Sequence, residues 1–300
     1  MPAISVVIPA YNAEGCVARA IESVLAQTQA VREIIVVDDG SRDATAAAVE
    51  QFGADVRLIR QSNAGPAAAR NHGVREAHCE WIAFLDADDA WLPSKNERQA
   101  ACLEQEQVGV VHCYVVDVAE KFKYDGEQTF DRLWRQNAIG TSTAIVRKSA
   151  WEAVGGFYED RRLMGVEDYH FWLRVTAAGW RVAVCREELS HYTPAAFNLS
   201  SQVQHILGAE LFNAELIANE LQLPPGQLRA KQADIYAEYG SALFTQRDMP
   251  AARDCLTQEL RRRPTLRSAL RLAATFIPPT ILNHCRNLRV RKPPTQCAAM

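Results

Sequence analysis

Short apolar runs alternate with helix-patterned segments through the first 120 residues, and this rhythm limits the possible folds more than any other feature. "ISVVIP", residues 4–9, is continuous, β-branched and short, as expected of a strand buried on both faces. Val17, Ala20, Ile21, Val24 and Leu25 then recur at helical spacing. "EIIVVDD" reads as a second strand, residues 43–52 as a helix, and "VRLIR" as a third strand. "GPAAARNHGVREA" reads as a helix with Pro in its first turn, and "EWIAFLD" as a fourth strand. Ser94 with Glu97 predicts a capping box for the helix that follows, and "VGVVHCYVV" a fifth strand. Such alternation implies an α/β fold with a mostly parallel sheet flanked by helices.

From about Lys121 the rhythm changes. "GTSTAIVRKSAWEAVGGF" predicts a strand and a short helix, with Ser149 and Glu152 as a second capping box. "EDYHFWLRVTAAG" has helical spacing and a stop at Gly179, and "WRVAVC" reads as a last strand. Beyond about Ser200 the pattern is helical, and "DIYAEYGSALFTQRDMPAARDCLTQELRRRP" reads as one helical hairpin. The expected division is an α/β domain over 1–200 and a helical C-terminal region with a basic tail over 201–300.

Net charge is −3, which argues against nucleic acid as a partner of the whole molecule. The charge is uneven. No acidic residue follows Glu259, whereas nine basic residues lie between Arg261 and Lys292. The eight cysteines show no C-x-x-C pair and no zinc spacing, so reduced, mostly buried thiols are expected. Absence of a basic n-region and of an apolar run of about 20 residues predicts a cytoplasmic protein.

Ligands of open parallel sheets bind beyond the carboxyl ends of the strands. Four polar clusters fall there: "PAYN", "DDGS", "QSNAG" and "DADD". The last places Asp86, Asp88 and Asp89 directly after an apolar run, where clustered negative charge calls for a positive partner. Carboxylates spaced D-x-D suit a hard divalent ion, Mn²⁺ or Mg²⁺, that keeps positions open for phosphate oxygens. Alone, "DADD" fits a solvated acidic turn equally well. "PAYNAEG" is not a G-x-G-x-x-G dinucleotide loop, nor the Gly-rich, Arg/Lys-containing loop of a sugar-phosphate nucleotidyltransferase.

Taken together, "PAYN", "VVDDGS", "NAGPAAARNHG", "FLDADD", "GGF" and "EDYHFWLR" resemble, in order and spacing, the inverting glycosyltransferases called family 2, which have the GT-A fold. The resemblance covers about residues 1–200. It implies a nucleotide-diphospho-sugar donor, UDP-linked in the first instance, and a divalent metal. It implies Pro9 and Tyr11 at the nucleobase, Asp39 accepting a bond from the base, and Arg70 at the ribose or phosphates. Asp86 would meet the ribose or the metal, Asp88 would be the main metal ligand, and Asp168 the catalytic base. Glu167 would position acceptor or base. Trp151 and Trp172 are candidates for lining the acceptor cleft, although aromatics at helical spacing are more often core. Relatives often aim an Arg or His at the diphosphate near an "NLS"-like stretch. Here "SHYTPAAFNLS" offers His191 at a different spacing, and a surface histidine fits as well. The acceptor implied is a glycan or lipid-linked glycan in surface polysaccharide synthesis. This suggests peripheral membrane contact through the basic, Leu-bearing segment 261–292. A non-catalytic nucleotide-sugar-binding homologue and a nucleotidyltransferase are the alternatives.

Overall fold

A computed structural model describes residues 2–117, 123, 126–193 and 203–278. The chain forms two compact units, 1–221 and 222–300.

The first unit is built on an eight-stranded sheet. Its strands are β1 (Ile4–Ala10), β2 (Glu33–Asp38), β3 (Arg57–Arg60), β4 (Trp81–Phe84), β5 (Ala90–Trp91), β6 (Val108–Val115), β7 (Ile145–Arg147) and β8 (Arg181–His191). They lie in the order β3-β2-β1-β4-β7-β6-β8-β5. β1 pairs in parallel with β2 and β4, β2 with β3, and β6 with β8. β7 runs antiparallel between β4 and β6, and β5 antiparallel on the edge of β8. Six strands therefore point one way, and their carboxyl ends share one rim. The centre of the sheet is buried and, Ser5 apart, apolar: every residue of β4 is buried, and every residue of β1 but Pro9. Each fully buried Ile, Val or Phe there contributes about 1.5–3 kcal/mol, offset by the entropy of ordering the chain.

Helices α1 (Val17–Leu25), α2 (Thr45–Glu50), α3 (Pro66–Glu76) and α4 (Lys95–Leu103) fill the connections, followed by α5 (Phe130–Arg135), α6 (Lys148–Ala153) and α7 (Glu167–Ala177). α1 buries Val17, Ala20, Ile21 and Val24, the stripe its spacing predicts. α3 lies so close to β1 that a Cβ on Gly73 would stand 2.4 Å from Val7 Cγ1; a glycine is required there. α7 ends two residues before Gly179, whose φ of +87° turns the chain into β8.

Several local expectations fail. Ser94 precedes α4 but makes no capping bond, and the Glu97 carboxylate, which would close the reciprocal half of the box, accepts instead from the Thr28 hydroxyl at 2.8 Å. Ser149 lies inside α6, whose N-cap is Arg147, so the second capping box is also absent. The two-residue β5 has no counterpart in the sequence pattern, and the last strand continues past Cys185 to His191. α8 (Val203–Glu220), expected in the C-terminal region, packs with the first unit against α7.

The second unit holds α9 (Pro225–Gln246), α10 (Met249–Arg262) and α11 (Leu266–Ala274). α9 and α10 form the expected helical hairpin, turning at Arg247, with Asp248 Oδ1 accepting from Ala251 N at 3.1 Å. On and just after α11, Leu266 (77% exposed), Leu270 (61%) and Phe276 (66%) stand in solvent. The part of the 261–292 segment beyond residue 278 lies outside the described residues. No helix among the described residues is long and apolar enough to cross a membrane. The six described cysteines are free thiols.

Candidate active site

The rim of strand ends gathers the residues that the sequence singled out. Pro9 is half-buried in β1, and Tyr11 follows it, exposed, in the turn after the strand. The turns after β1 and β2 are laced together: Asn12 N donates to Ser41 Oγ at 2.9 Å, and Ala13 N to Thr45 Oγ1 at 2.7 Å. Gly40, at φ +75°, lets the second turn pass the next loop, where a Cβ would meet Asn63 N at 2.8 Å.

Asp39 is buried and fully engaged. Its Oδ1 accepts from Gln61 Nε2 (2.7 Å) and Ala64 N (2.8 Å), and its Oδ2 from Gly65 N (2.8 Å) and Asn63 Nδ2 (3.2 Å). A carboxylate has about four lone-pair sites, and here the loop 61–65 takes them. Asp39 is thus an organiser of that loop. A base reaching Asp39 would compete with these donors.

Arg70 is engaged as well. It is buried in α3, with Nη2 on Asp86 Oδ1 and Nη1 on Glu167 Oε1, both at 2.7 Å. These two acids hold its pKa above the ordinary value despite burial. Both ends of the guanidinium are committed to protein carboxylates, so Arg70 is a bridge between the turn after β4 and the start of α7.

In the acidic turn Asp86 and Asp88 are half-exposed and Asp89 is buried. Arg19 reaches this turn, but its guanidinium donates to the Asp88 carbonyl and to Thr193 Oγ1, not to a carboxylate. Asp89 accepts from Ser142 Oγ at 2.6 Å and Thr193 N at 3.0 Å; burial and Asp86 push its pKa up to about 7. Asp88 makes no ion pair among the described residues, and burial followed by repulsion from Asp86 raises its pKa. No group of three or more metal-ligating side chains exists among the described residues. A self-contained protein cage is therefore absent among them. Asp88, half-exposed beside Asp86 and without an ion pair among the described residues, would instead suit a hard divalent ion that takes only one or two protein carboxylates.

Glu167 and Asp168 open α7. Glu167 is buried, accepting from Gly165 N at 2.6 Å besides its pair with Arg70. Asp168 turns the other way. Its Oδ2 accepts from Thr141 Oγ1 at 2.9 Å and its Oδ1 from Tyr169 N at 2.6 Å. Protein crowds it, yet part of its surface stays open. Burial and then the charge of Glu167 push its pKa up to about 7. It lines a cavity of about 230 Å³ with Tyr114, Asn137, Ile139, Gly140 and Thr143.

The structure thus links Asp86, Arg70 and Glu167 by ion pairs, with Asp168 the next residue in the chain and bonded to Thr141. It leaves others outside. Trp172 is fully buried against Phe157 and Phe171, so it is a core residue and lines no cleft. Trp151 donates to Asn71 Oδ1 at 3.0 Å and supports the turn at Gly156, outside this set. His191 is exposed at the end of β8, paired in register with Ala90 immediately after the acidic turn. Sequence reasoning missed Thr141 and Ser142. The available signal was "TST" before an apolar strand: hydroxyls in a buried stretch must find partners.

The mostly parallel sheet flanked by helices is of the GT-A type. The chain belongs to glycosyl transferase family 2, whose family profile matches residues 5–163. It is 30% identical over 179 residues to the UDP-Glc:alpha-D-GlcNAc-diphosphoundecaprenol beta-1,3-glucosyltransferase WfgD of Escherichia coli, covering 57% of this chain and 69% of that one. The putative glycosyltransferase EpsE of Bacillus subtilis is 32% identical over 195 residues, covering 60% and 69%. Among solved structures, the mannosyltransferase PcManGT of Pyrobaculum calidifontis, in complex with GDP-Man and Mn²⁺, aligns with a TM-score of 0.66 at 20% identity. That alignment covers 97% of this chain and 81% of the other. S. aureus TarS in complex with UDP-GlcNAc aligns with a TM-score of 0.62 at 18% identity, covering 95% and 92%. These two likenesses concern the fold.

Proposed function

We propose that the chain is an inverting hexosyltransferase that moves a sugar from a UDP-linked donor to a hydroxyl of a lipid-diphosphate-linked glycan. One observation carries the reading: a crowded carboxylate, Asp168, opens onto a cavity of about 230 Å³ and is tied through Glu167 and Arg70 to the acidic turn. The donor and acceptor are inferred from the relative that acts on UDP-Glc and GlcNAc-diphosphoundecaprenol.

In this reading Asp168 takes the proton from the attacking acceptor hydroxyl as its oxygen bonds to the anomeric carbon. The bond from that carbon to the diphosphate breaks on the opposite face, and the nucleoside diphosphate leaves with the electron pair. A base whose pKa lies near 7 combines availability with driving force at neutral pH. Pro9 and Tyr11 flank the nucleobase, and Asp39 shapes the loop 61–65 beside it. Asp88, with Asp86, would hold a Mn²⁺ or Mg²⁺ ion, which as a Lewis acid supplies charge stabilisation to the departing diphosphate. Arg70 and Glu167 keep the two acidic groups in register.

Two variants test this. Asp168→Asn should leave UDP binding in Mn²⁺ unchanged by calorimetry but cut UDP release from UDP-glucose with a GlcNAc-diphospholipid acceptor by roughly 10²–10⁴-fold. Transfer within a few-fold of wild type would move the base elsewhere. Asp88→Ala should abolish the Mn²⁺-dependent part of UDP binding; unchanged affinity would remove Asp88 from the metal site.

The second unit supports peripheral contact with an anionic membrane surface on the cytoplasmic side. Leu266, Leu270, Ala273 and Ile277 recur at helical spacing and are exposed, and exposed Arg261 and Arg267 flank them. Each basic residue near an anionic leaflet contributes roughly 1 kcal/mol, and the apolar stripe adds buried area. Liposomes containing phosphatidylglycerol should co-sediment the full chain at low salt and release it at high salt. The double variant Leu266→Glu/Leu270→Glu should stay in the supernatant; equal binding would exclude this helix as the contact.

A further inference from the structure

The segment Gly140–Ala144 is the structural knot of the rim. It forms a 3-10 turn, residues 141–143, that runs into β7, the antiparallel strand wedged between β4 and β6. Phe84 N, at the end of β4, donates to Ala144 O at 3.2 Å. Trp91 Nε1 donates to Ser142 O at 2.7 Å, and Gln99 Nε2 to Thr143 O at 3.0 Å. The backbone is therefore held from both sides, and its side chains are buried.

Two neighbouring hydroxyls leave this fixed turn in different directions. Thr141 Oγ1 donates to Asp168 Oδ2 at 2.9 Å. Ser142 Oγ accepts from Asp86 N at 3.1 Å and donates to Asp89 Oδ2 at 2.6 Å. Adjacent residues thus grip the two acidic groups, one each. Their Cα atoms stand about 3.8 Å apart across a rigid peptide, so neither group can shift without straining the other's bond. Arg70 spans the same two groups through Asp86 and Glu167, but it leaves Asp168 untouched. Thr141 connects the Asp168 carboxylate to the acidic turn by way of the sheet.

We propose that Thr141 and Ser142 act as a two-pronged positioning clamp, Thr141 aiming the Asp168 carboxylate at the acceptor and Ser142 fixing the acidic turn that receives the donor diphosphate. The inference rests on the reading of Asp168 as the proton acceptor. Placement matters at this scale because a misplacement of about 1 Å costs roughly 10²-fold in rate.

The prongs have separable signatures. Thr141 donates to the carboxylate form, so its hydroxyl lowers the pKa of Asp168 against the upward push of burial and Glu167; Arg70 is the other charge acting on it. Removing the hydroxyl should raise the Asp168 midpoint. Ser142 touches no part of Asp168, so its loss should weaken donor binding and leave that midpoint alone.

The test uses the full chain with Thr141→Val, Thr141→Ser, Ser142→Ala and Asp168→Asn. The Asp168 carboxyl is titrated by ¹³C NMR of Asp-labelled protein, assigned by its loss in Asp168→Asn. Thr141→Val should raise the midpoint by about 0.5–1 pH unit and lower kcat for UDP-glucose with the GlcNAc-diphospholipid acceptor by roughly 10–100-fold, with little change in donor KM. Thr141→Ser should restore both. Ser142→Ala should weaken UDP binding in Mn²⁺ by roughly 5–10-fold with an unmoved Asp168 midpoint. An unshifted midpoint in Thr141→Val, or failure of Thr141→Ser to restore it, overturns the clamp and leaves the base assignment standing. Undiminished turnover in Asp168→Asn overturns the base assignment and the clamp with it. Were Thr141→Val to lower kcat equally in the Asp168→Asn background, the threonine would be structural and the clamp refuted.

Discussion

The turn at residues 86–89 and the pair at 167–168 contain the same chemical groups in opposite surroundings. The turn is irregular, half-exposed and follows a buried strand; the pair sits at the N-terminus of a helix, walled in by α5 and the 3-10 turn. Asp88 at the turn lacks an ion pair among the described residues, whereas Glu167 is closed off by Arg70 and Gly165 N. Placement therefore sorts carboxylates into kinds. A half-exposed one without an ion pair is suited to receive a cation from outside. A crowded one beside another anion is suited to receive a proton. Arg70 touches one member of each group, and breaking or trimming that link is the most direct test of the contrast.

The largest effect should come from Arg70→Met, which strands Glu167 as a buried charge and should cost about 3–5 kcal/mol of stability by urea denaturation. A loss below about 1 kcal/mol would mean that the two acidic groups are independent. Glu167→Gln should cost about 2–3 kcal/mol, since a buried bond to a charged group is lost while Asp86 still holds Arg70. Asp168→Asn should have the opposite sign at high pH. The pKa of Asp168 is raised on folding, so wild type has its full stability from this group below about pH 4. That contribution is lost as pH rises through about 7. The asparagine variant should therefore match wild type at pH 4 and exceed it by about 3–4 kcal/mol at pH 8, since a shift from about 4 to about 7 spans three tenfold changes in proton affinity, each worth about 1.4 kcal/mol. Melting curves at the two pH values decide the point; a constant difference would contradict it. Smallest should be Asp86→Asn, about 1 kcal/mol, because this half of the Arg70 bridge is the solvent-facing one. A cost equal to that of Glu167→Gln would erase the distinction between open and closed groups.

Much of this is legible in the chain itself. The strand rhythm from Ile4 to Phe84 depends on short apolar runs, β-branched in β1 and β2, bounded by polar turns, and each forms a strand. The motif residues at strand ends are legible because polar residues directly after a buried strand have only the rim to occupy. The capping boxes do not close: the Glu97 carboxylate is taken by Thr28 and Ser149 falls within its helix, facts outside the local pattern. Trp172 shows the same limit from the other side: helical spacing cannot say which face of α7 is covered, and packing on Phe157 and Phe171 makes it core.

Sequence alone determined the class of fold, the side of the sheet where chemistry gathers, and the identity of the acids there. Those follow from local rules: strand period, helix spacing, and the cost of burying charge. Tertiary structure alone decided how the acids are used. That Asp39 spends its lone pairs on its own loop, that Arg70 faces inward to two carboxylates, and that Thr141 and Ser142 hold residues 27 and 53 positions away are long-range facts. A hydroxyl or guanidinium carries no mark of its partner in the sequence. The partner is chosen by which strands become neighbours, and here that was settled by β7 entering antiparallel between β4 and β6.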